Sequence, residues 1–175
     1  NVTYHHCAIC DGSLYKGKDV AIIGGGNTAF TEALYLSRIA STVRIITDKI
    51  IADSTLVEEV CDTKNISVID KAKVMSLCKE LNSICIDYEY KDILCKTTVD
   101  GLFSAIGSKP QSYYCPKKIE KSYSGYILGN EYGETNLSGF YVAGDIRRKM
   151  LRQAITAAAD GANCANSVVE CLKQS

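Results

Sequence analysis

The chain has 175 residues, 46% of them apolar and 23% charged, which allows one ordinary core, or a domain plus part of another, and excludes a disordered chain. Its 20 basic and 20 acidic side chains cancel, so no global field draws it to nucleic acid or to an anionic membrane surface. No apolar run approaches the ~20 residues of a membrane span and no secretory leader heads the chain. A soluble protein is expected. The 9 cysteines, an odd and scattered set, argue for reduced thiols and a cytoplasmic location rather than a secreted disulfide framework. The first residue is asparagine, and the chain is expected to be a piece of something longer.

Near the N-terminus stands YHHCAICDG (4–12), two cysteines three apart beside two histidines. Next, 18–23 (KDVAII) reads as a short buried strand, GGG follows at 24–26, and 27–39 carries apolar residues at helical spacing. With a second strand at 42–46 (TVRII), residues 19–46 make a βαβ unit whose crossover should be right-handed, and parallel strands imply a layered α/β fold. A helix is expected over 53–63, capped by Asp53 or Ser54, and a strand over 66–69. Period-two alternation from 73 to 99 predicts an antiparallel meander, and 102–106 (LFSAI) a buried strand. Both prolines fall in 108–124, read as a linker or domain crossing. Beyond it, 140–143 (FYVA) predicts a strand and 151–172 a long alanine-rich helix.

The triple glycine sits in a context that a bare pattern lacks. Gly24-Gly25-Gly26-Asn27-Thr28-Ala29 fits G-x-G-x-x-A between a predicted strand and a predicted helix. Gly24 permits the tight turn, Gly26 lets a pyrophosphate approach the backbone, and Ala29 lets helix and strand pack closely. The ribose is read at the end of the second strand, where an acid suits a free 2′-hydroxyl and arginines a 2′-phosphate. There the chain runs TDKIIAD (47–53), two carboxylates with one lysine, a poor site for a dianion.

Three readings compete for Cys7 and Cys10. Zinc needs four ligands, and a single Cys-x-x-Cys with adjacent, divergent histidines does not supply them. Inert buried thiols are the common fate of free cysteines, and the other seven are expected to be of that kind. The spacing favours a redox pair, with Asp11 placed to carry a proton to or from the outgoing thiolate.

Taken together, CAICDG, GGGNTA with Glu32-Ala33-Leu34-Tyr35-Leu36 behind it, AIGSKP (105–110), GFYVAGD (139–145) and LRQAIT (151–156) resemble the low-molecular-weight thioredoxin reductases of the flavin-dependent pyridine nucleotide–disulfide oxidoreductases. The resemblance implies a Rossmann-like three-layer nucleotide-binding domain with an antiparallel meander over 1–108, and part of a split FAD-binding domain over 109–175. It implies that the Cys7–Cys10 disulfide takes electrons from FAD and passes them to thioredoxin or a thioredoxin-like dithiol protein, with Asp11 as the acid. Gly24, Gly26, Asn27, Thr28, Ala29 and Glu32, with Ile106 and Gly107, would bind NAD(P)H. Gly144 and Asp145 would hold the flavin chain, and Arg152, Gln153 and Ala154 would border its ring. The full-length enzyme would be a homodimer.

Two departures qualify this. The N-terminal half of the family's flavin domain, with its own glycine motif, is missing from the sequence, so this stretch alone is not expected to hold flavin tightly. The family's HRRxxxR grip on the 2′-phosphate falls on 47–53 and keeps one basic position, so NADH, or another donor such as ferredoxin, is expected to replace NADPH. A peroxiredoxin reductase shares the same motifs. From another class, a non-catalytic nucleotide-binding module would leave Cys7 and Cys10 idle.

Overall fold

Short runs of β-branched and aliphatic residues pair side by side as one parallel sheet. In the computed structural model, which describes residues 4–173, its order is β1 (Tyr4–His5), β8 (Gly101–Ser104), β2 (Asp19–Ile23), β3 (Thr42–Ile46) and β4 (Ile66–Ile69). Alternation within each strand sorts the layers. Val20, Ile22, Val43, Ile45 and Phe103 face helices α2 (Asn27–Ser37) and α3 (Ser54–Asp62), where Ala29, Phe30, Ala33, Leu36 and Val60 complete a dry core. Ala21, Ile46 and Leu102 point the other way, onto Ile84, Ile86, Tyr88 and Val99 of an antiparallel sheet. That sheet is β5 (Ala72–Lys79), β6 (Ile84–Tyr90) and β7 (Ile93–Val99). Lys91 and Asp92, both at positive φ (52° and 61°), form the two-residue turn that matches strand twist between β6 and β7. The three-layer α/β architecture with its meander is as the sequence implies.

Several details differ from expectation. A four-residue helix α1 (Ala8–Asp11) and a 3-10 turn (Gly12–Tyr15) hold the cysteine motif, and β1 precedes them; pieces this short carry no periodicity to read. The seven other cysteines are not uniformly buried: Cys61, Cys78 and Cys171 are exposed and only Cys85 is buried.

The chain divides into two units, 1–107 and 108–175. In the second, 108–143 is irregular, with isolated bridges Lys121–Ile127 and Glu134–Tyr141. The strand expected over 140–143 does not form, because Tyr141 makes only that single bridge and a strand needs a continuous ladder. Ile119, Ile127 and Val142 make a small core, packed by Leu137, Phe140 and Ile146. Helix α4 (Ala154–Lys173) starts three residues later than expected. The Thr156 hydroxyl accepts from the Gln153 N–H (3.1 Å) and so caps the helix there. No helix among the described residues is long and apolar enough to cross a membrane.

Candidate active site

Cys7 and Cys10 are joined as a disulfide on α1, with the Cys10 N–H donating to Cys7 Sγ at 3.2 Å. Ala8 is fully buried in the helix-side core, which fixes the inner face of the motif and leaves Ile9 and Cys10 exposed. The first amide of α1, Ala8 N–H, donates to Glu32 Oε1 on α2 at 3.2 Å. The other oxygen, Oε2, is buried without a partner, and burial pushes the Glu32 carboxyl above its ordinary range despite that one hydrogen bond. Glu32 therefore stands under the cysteine motif, where the resemblance alone would assign it to the nucleotide.

The two histidines part company, His6 exposed and His5 buried. His5 Nδ1 lies 2.9 Å from Asp11 Oδ2, and its Nε2 lies 2.7 Å from the Tyr15 hydroxyl. Its ring stacks on Phe103 with centroids 5.1 Å apart.

At the carboxyl ends of β2 and β3 lies a cavity of about 200 Å³, bordered by Gly24, Thr47, Asp48, Lys73 and Ile106. Gly24 has φ +146°, and a Cβ there would stand 2.5 Å from the Ala105 carbonyl oxygen, so the chain turns tightly against the end of β8. A Cβ on Gly25 would collide with the Lys49 carbonyl and Thr47 Oγ1. Gly26 is different: a Cβ would meet nothing nearer than the Ile51 side chain at 3.9 Å. No atom of the described residues demands glycine at that point, which leaves open the space a pyrophosphate would fill at the start of α2. Lys73, which joins the cavity from β5, is distant in sequence and was not singled out by any motif.

The loop after β3 is laced onto the glycine loop. Ile51 N–H donates to Gly25 O at 2.8 Å, Asn27 Nδ2 donates to Asp53 Oδ2 at 2.6 Å, and Asp53 N–H donates back to Asn27 Oδ1 at 2.8 Å. Asp53 is the N-cap of α3 by position, but its carboxylate is spent on Asn27. Thr28 follows in the first turn of α2 and Ala29 is fully buried against the sheet. Gly107, at φ +89°, closes the unit after Ile106.

In the second unit, Gly144 has φ +82° and donates its N–H to Asp160 Oδ2 at 3.1 Å. Asp145 keeps a 63% exposed carboxylate, 3.7 Å from Lys149 Nζ. The Arg152 guanidinium lies over the Tyr126 ring at 3.9 Å and donates to the Asp145 carbonyl, ahead of Gln153 and Ala154 at the start of α4. Asp160 holds this segment. It is 8% exposed, pairs with Arg147 (2.7 Å) and Lys149 (3.1 Å), and the Arg147 guanidinium beside it draws its carboxyl down to about 2. An acid inside the run AITAAADGA was the one available signal.

Residues 2–161 match the profile of the family described as pyridine nucleotide-disulphide oxidoreductase. The chain belongs to that family. Among curated members, the thioredoxin reductase of Mycoplasma genitalium is 39% identical over 161 residues, which cover 89% of this chain and 51% of that protein. The thioredoxin reductase of Bacillus subtilis is 34% identical over 168 residues, 93% of this chain and 53% of that protein. The chain thus spans about half the length of these oxidoreductases. In fold it superposes on the crystal structure of thioredoxin reductase from Streptococcus pyogenes with a TM-score of 0.90 at 24% identity, over 98% of this chain and 58% of that one. The disulfide, the glycine loop and Asp160 all fall inside the family match.

Proposed function

We propose that the chain is the nucleotide-binding and redox-disulfide portion, with a C-terminal portion of the flavin domain, of a thioredoxin-reductase-like flavoenzyme. The observation that carries this reading is the Cys7–Cys10 disulfide in the same unit as a glycine loop whose Gly26 has no structural reason to lack a side chain. When bound, the reduced nicotinamide supplies two electrons as hydride and FAD relays them. Gly24, Gly26, Asn27, Thr28 and Ala29, with Ile106 and Gly107, would hold the nucleotide, and the first amides of α2 would receive its pyrophosphate. In the second unit the exposed Asp145 would offer an acceptor to the flavin chain, while Arg152, Gln153 and Ala154 would border its ring.

Once reduced, one thiolate of the Cys7/Cys10 pair attacks a partner disulfide, breaking its S–S bond and forming a mixed disulfide. The second thiolate then displaces the partner, and the internal disulfide re-forms with two electrons transferred. Asp11 protonates the departing thiolate. The partner is thioredoxin or a thioredoxin-like dithiol protein, and the full-length enzyme is a homodimer.

The test is a titration in dithiol redox buffers, with thiols counted by alkylation and mass. One two-electron couple is expected, lost in Cys7→Ser and in Cys10→Ser while the other seven thiols behave as before. No couple in the physiological range would leave a nucleotide-binding module without turnover.

Asp48 at the cavity and Asp53 on the glycine loop favour NADH as the donor, since a dianionic 2′-phosphate would stand against Asp48 with Lys73 as the one cation lining the cavity among the described residues. Calorimetric titration should show NADH binding about tenfold or more tighter than NADPH. Tighter binding of NADPH would refute this choice of donor and leave the redox pair untouched.

A further inference from the structure

We propose that His5 is a positioning residue for the proton step at the disulfide: it pins the carboxyl of Asp11, the residue that follows Cys10, in one orientation. The inference rests on the reading of Asp11 as the acid. Its basis is a chain of contacts that the cysteine motif itself does not require. His5 is buried, and both of its ring nitrogens are engaged, Nδ1 with Asp11 Oδ2 at 2.9 Å and Nε2 with the Tyr15 hydroxyl at 2.7 Å.

An ionised carboxylate can only accept, so Nδ1 carries a proton and donates it to Asp11. A neutral ring then accepts the Tyr15 O–H at Nε2. A second ring proton at Nε2 would reverse that bond's direction without breaking either contact, so the pair tolerates a change of one charge. Tyr15 and Phe103 fix the ring, from the 3-10 turn and from β8, the latter by stacking at 5.1 Å. Asp11 itself is 38% exposed, and without the buried donor its carboxyl would be free to rotate into solvent. Opening of the disulfide by an external thiolate breaks the S–S bond, forms a mixed disulfide and releases one cysteine thiolate, which takes a proton from Asp11 when that carboxyl is in its acid form.

Among the described residues, other titratable groups around this cluster are Glu32, facing α1 from α2, Tyr35, whose ring lies against Gly12 from α2, Lys18, over the Tyr15 ring, and His6, against Tyr4. Any pH effect has to be separated from theirs, Glu32 above all.

The measurement is the rate of disulfide reduction by dithiothreitol across pH, divided by the thiolate concentration, in the wild-type chain and in variants whose folding is checked by thermal melts. The wild type should show a limb on which the rate falls with rising pH and which Asp11→Asn abolishes. In His5→Phe the plateau of that limb should fall roughly tenfold, because the carboxyl is no longer held. Tyr15→Phe, which keeps the ring, should lower it less. His5→Asn, whose amide places a donor near the position of Nδ1, should restore the wild-type plateau. If Asp11→Asn abolishes the limb while all His5 and Tyr15 variants superpose on wild type, the proposal is overturned and the role of Asp11 stands. If Asp11→Asn is silent, or the limb follows Glu32→Gln instead, both fall together.

Discussion

Gly25 and Gly26 are neighbours that are glycine for different reasons, and the difference separates folding from binding. Gly25 lies under the loop after β3, where a Cβ would strike the Lys49 carbonyl, a backbone atom that cannot swing aside. Gly25→Ala should therefore lower stability by about 1–3 kcal/mol, visible as a lower Tm with or without nucleotide. Gly26→Ala meets only the Ile51 side chain at 3.9 Å and has an ordinary φ of −93°, so its Tm should match wild type. Its methyl would occupy the phosphate cradle, and NADH binding should weaken at least about tenfold by calorimetry. Equal effects of the two alanines on Tm would refute the distinction. The G-x-G-x-x-A pattern made Gly24 and Gly26 legible, but not Gly25, because what Gly25 touches lies more than twenty residues further along the chain. Asp53 takes the N-cap position the sequence marks for it, but its carboxylate is engaged by Asn27, a partner no local pattern shows.

Helix α2 is the element that joins the two chemistries of the first unit. Its N-terminus meets the glycine loop, and one turn further on Glu32 accepts the first amide of α1. Its apolar spacing was legible, and so was the strand-turn-helix around it; the contact with α1 was not, because α1 is a single turn shaped by the disulfide and by the burial of Ala8. Burial raises the Glu32 carboxyl above its ordinary 4.5, so the folded chain binds that proton more tightly than the unfolded one. The associated stability is full below 4.5 and is lost as pH rises through the raised value. Glu32→Gln keeps an acceptor for Ala8 N–H and removes the charge. Its Tm should equal or exceed wild type at pH 7 and show no advantage at pH 4. Glu32→Ala, which strands the amide, should be lower at both. Melts at the two pH values check this, and a Gln variant destabilised only at pH 7 would count against it.

At the scale of the whole molecule, the first unit was largely legible because its meander alternates with a period of two, its helices carry apolar residues at helical spacing and its parallel strands are short apolar runs. The second was not, since 108–143 is held by turns and isolated bridges that leave no period in the sequence. The two units also rest on different forces. Among the described residues, the first has two apolar cores, one on each face of its parallel sheet, while the second has three buried apolar side chains and the Asp160 cluster. Asp160 titrates at about 2 in the folded chain against 3.8 ordinarily, so its contribution is present above 3.8 and disappears as pH falls through 2, about 2 kcal/mol in all. Glu32 has the opposite sign in the first unit, where acid favours the folded state. Acidification should thus loosen the second unit while sparing the first. Hydrogen exchange resolved by segment is expected to show α4 amides losing protection between pH 4 and pH 2 before those of β2 and β3. Asp160→Asn should remove that acid sensitivity and weaken α4 already at pH 7, because Arg147 then keeps a largely buried charge without its carboxylate and Lys149 retains only the exposed Asp145. Simultaneous loss of protection in both units, unchanged by Asp160→Asn, would show that one cooperative core governs the chain and that the ionic cluster contributes little.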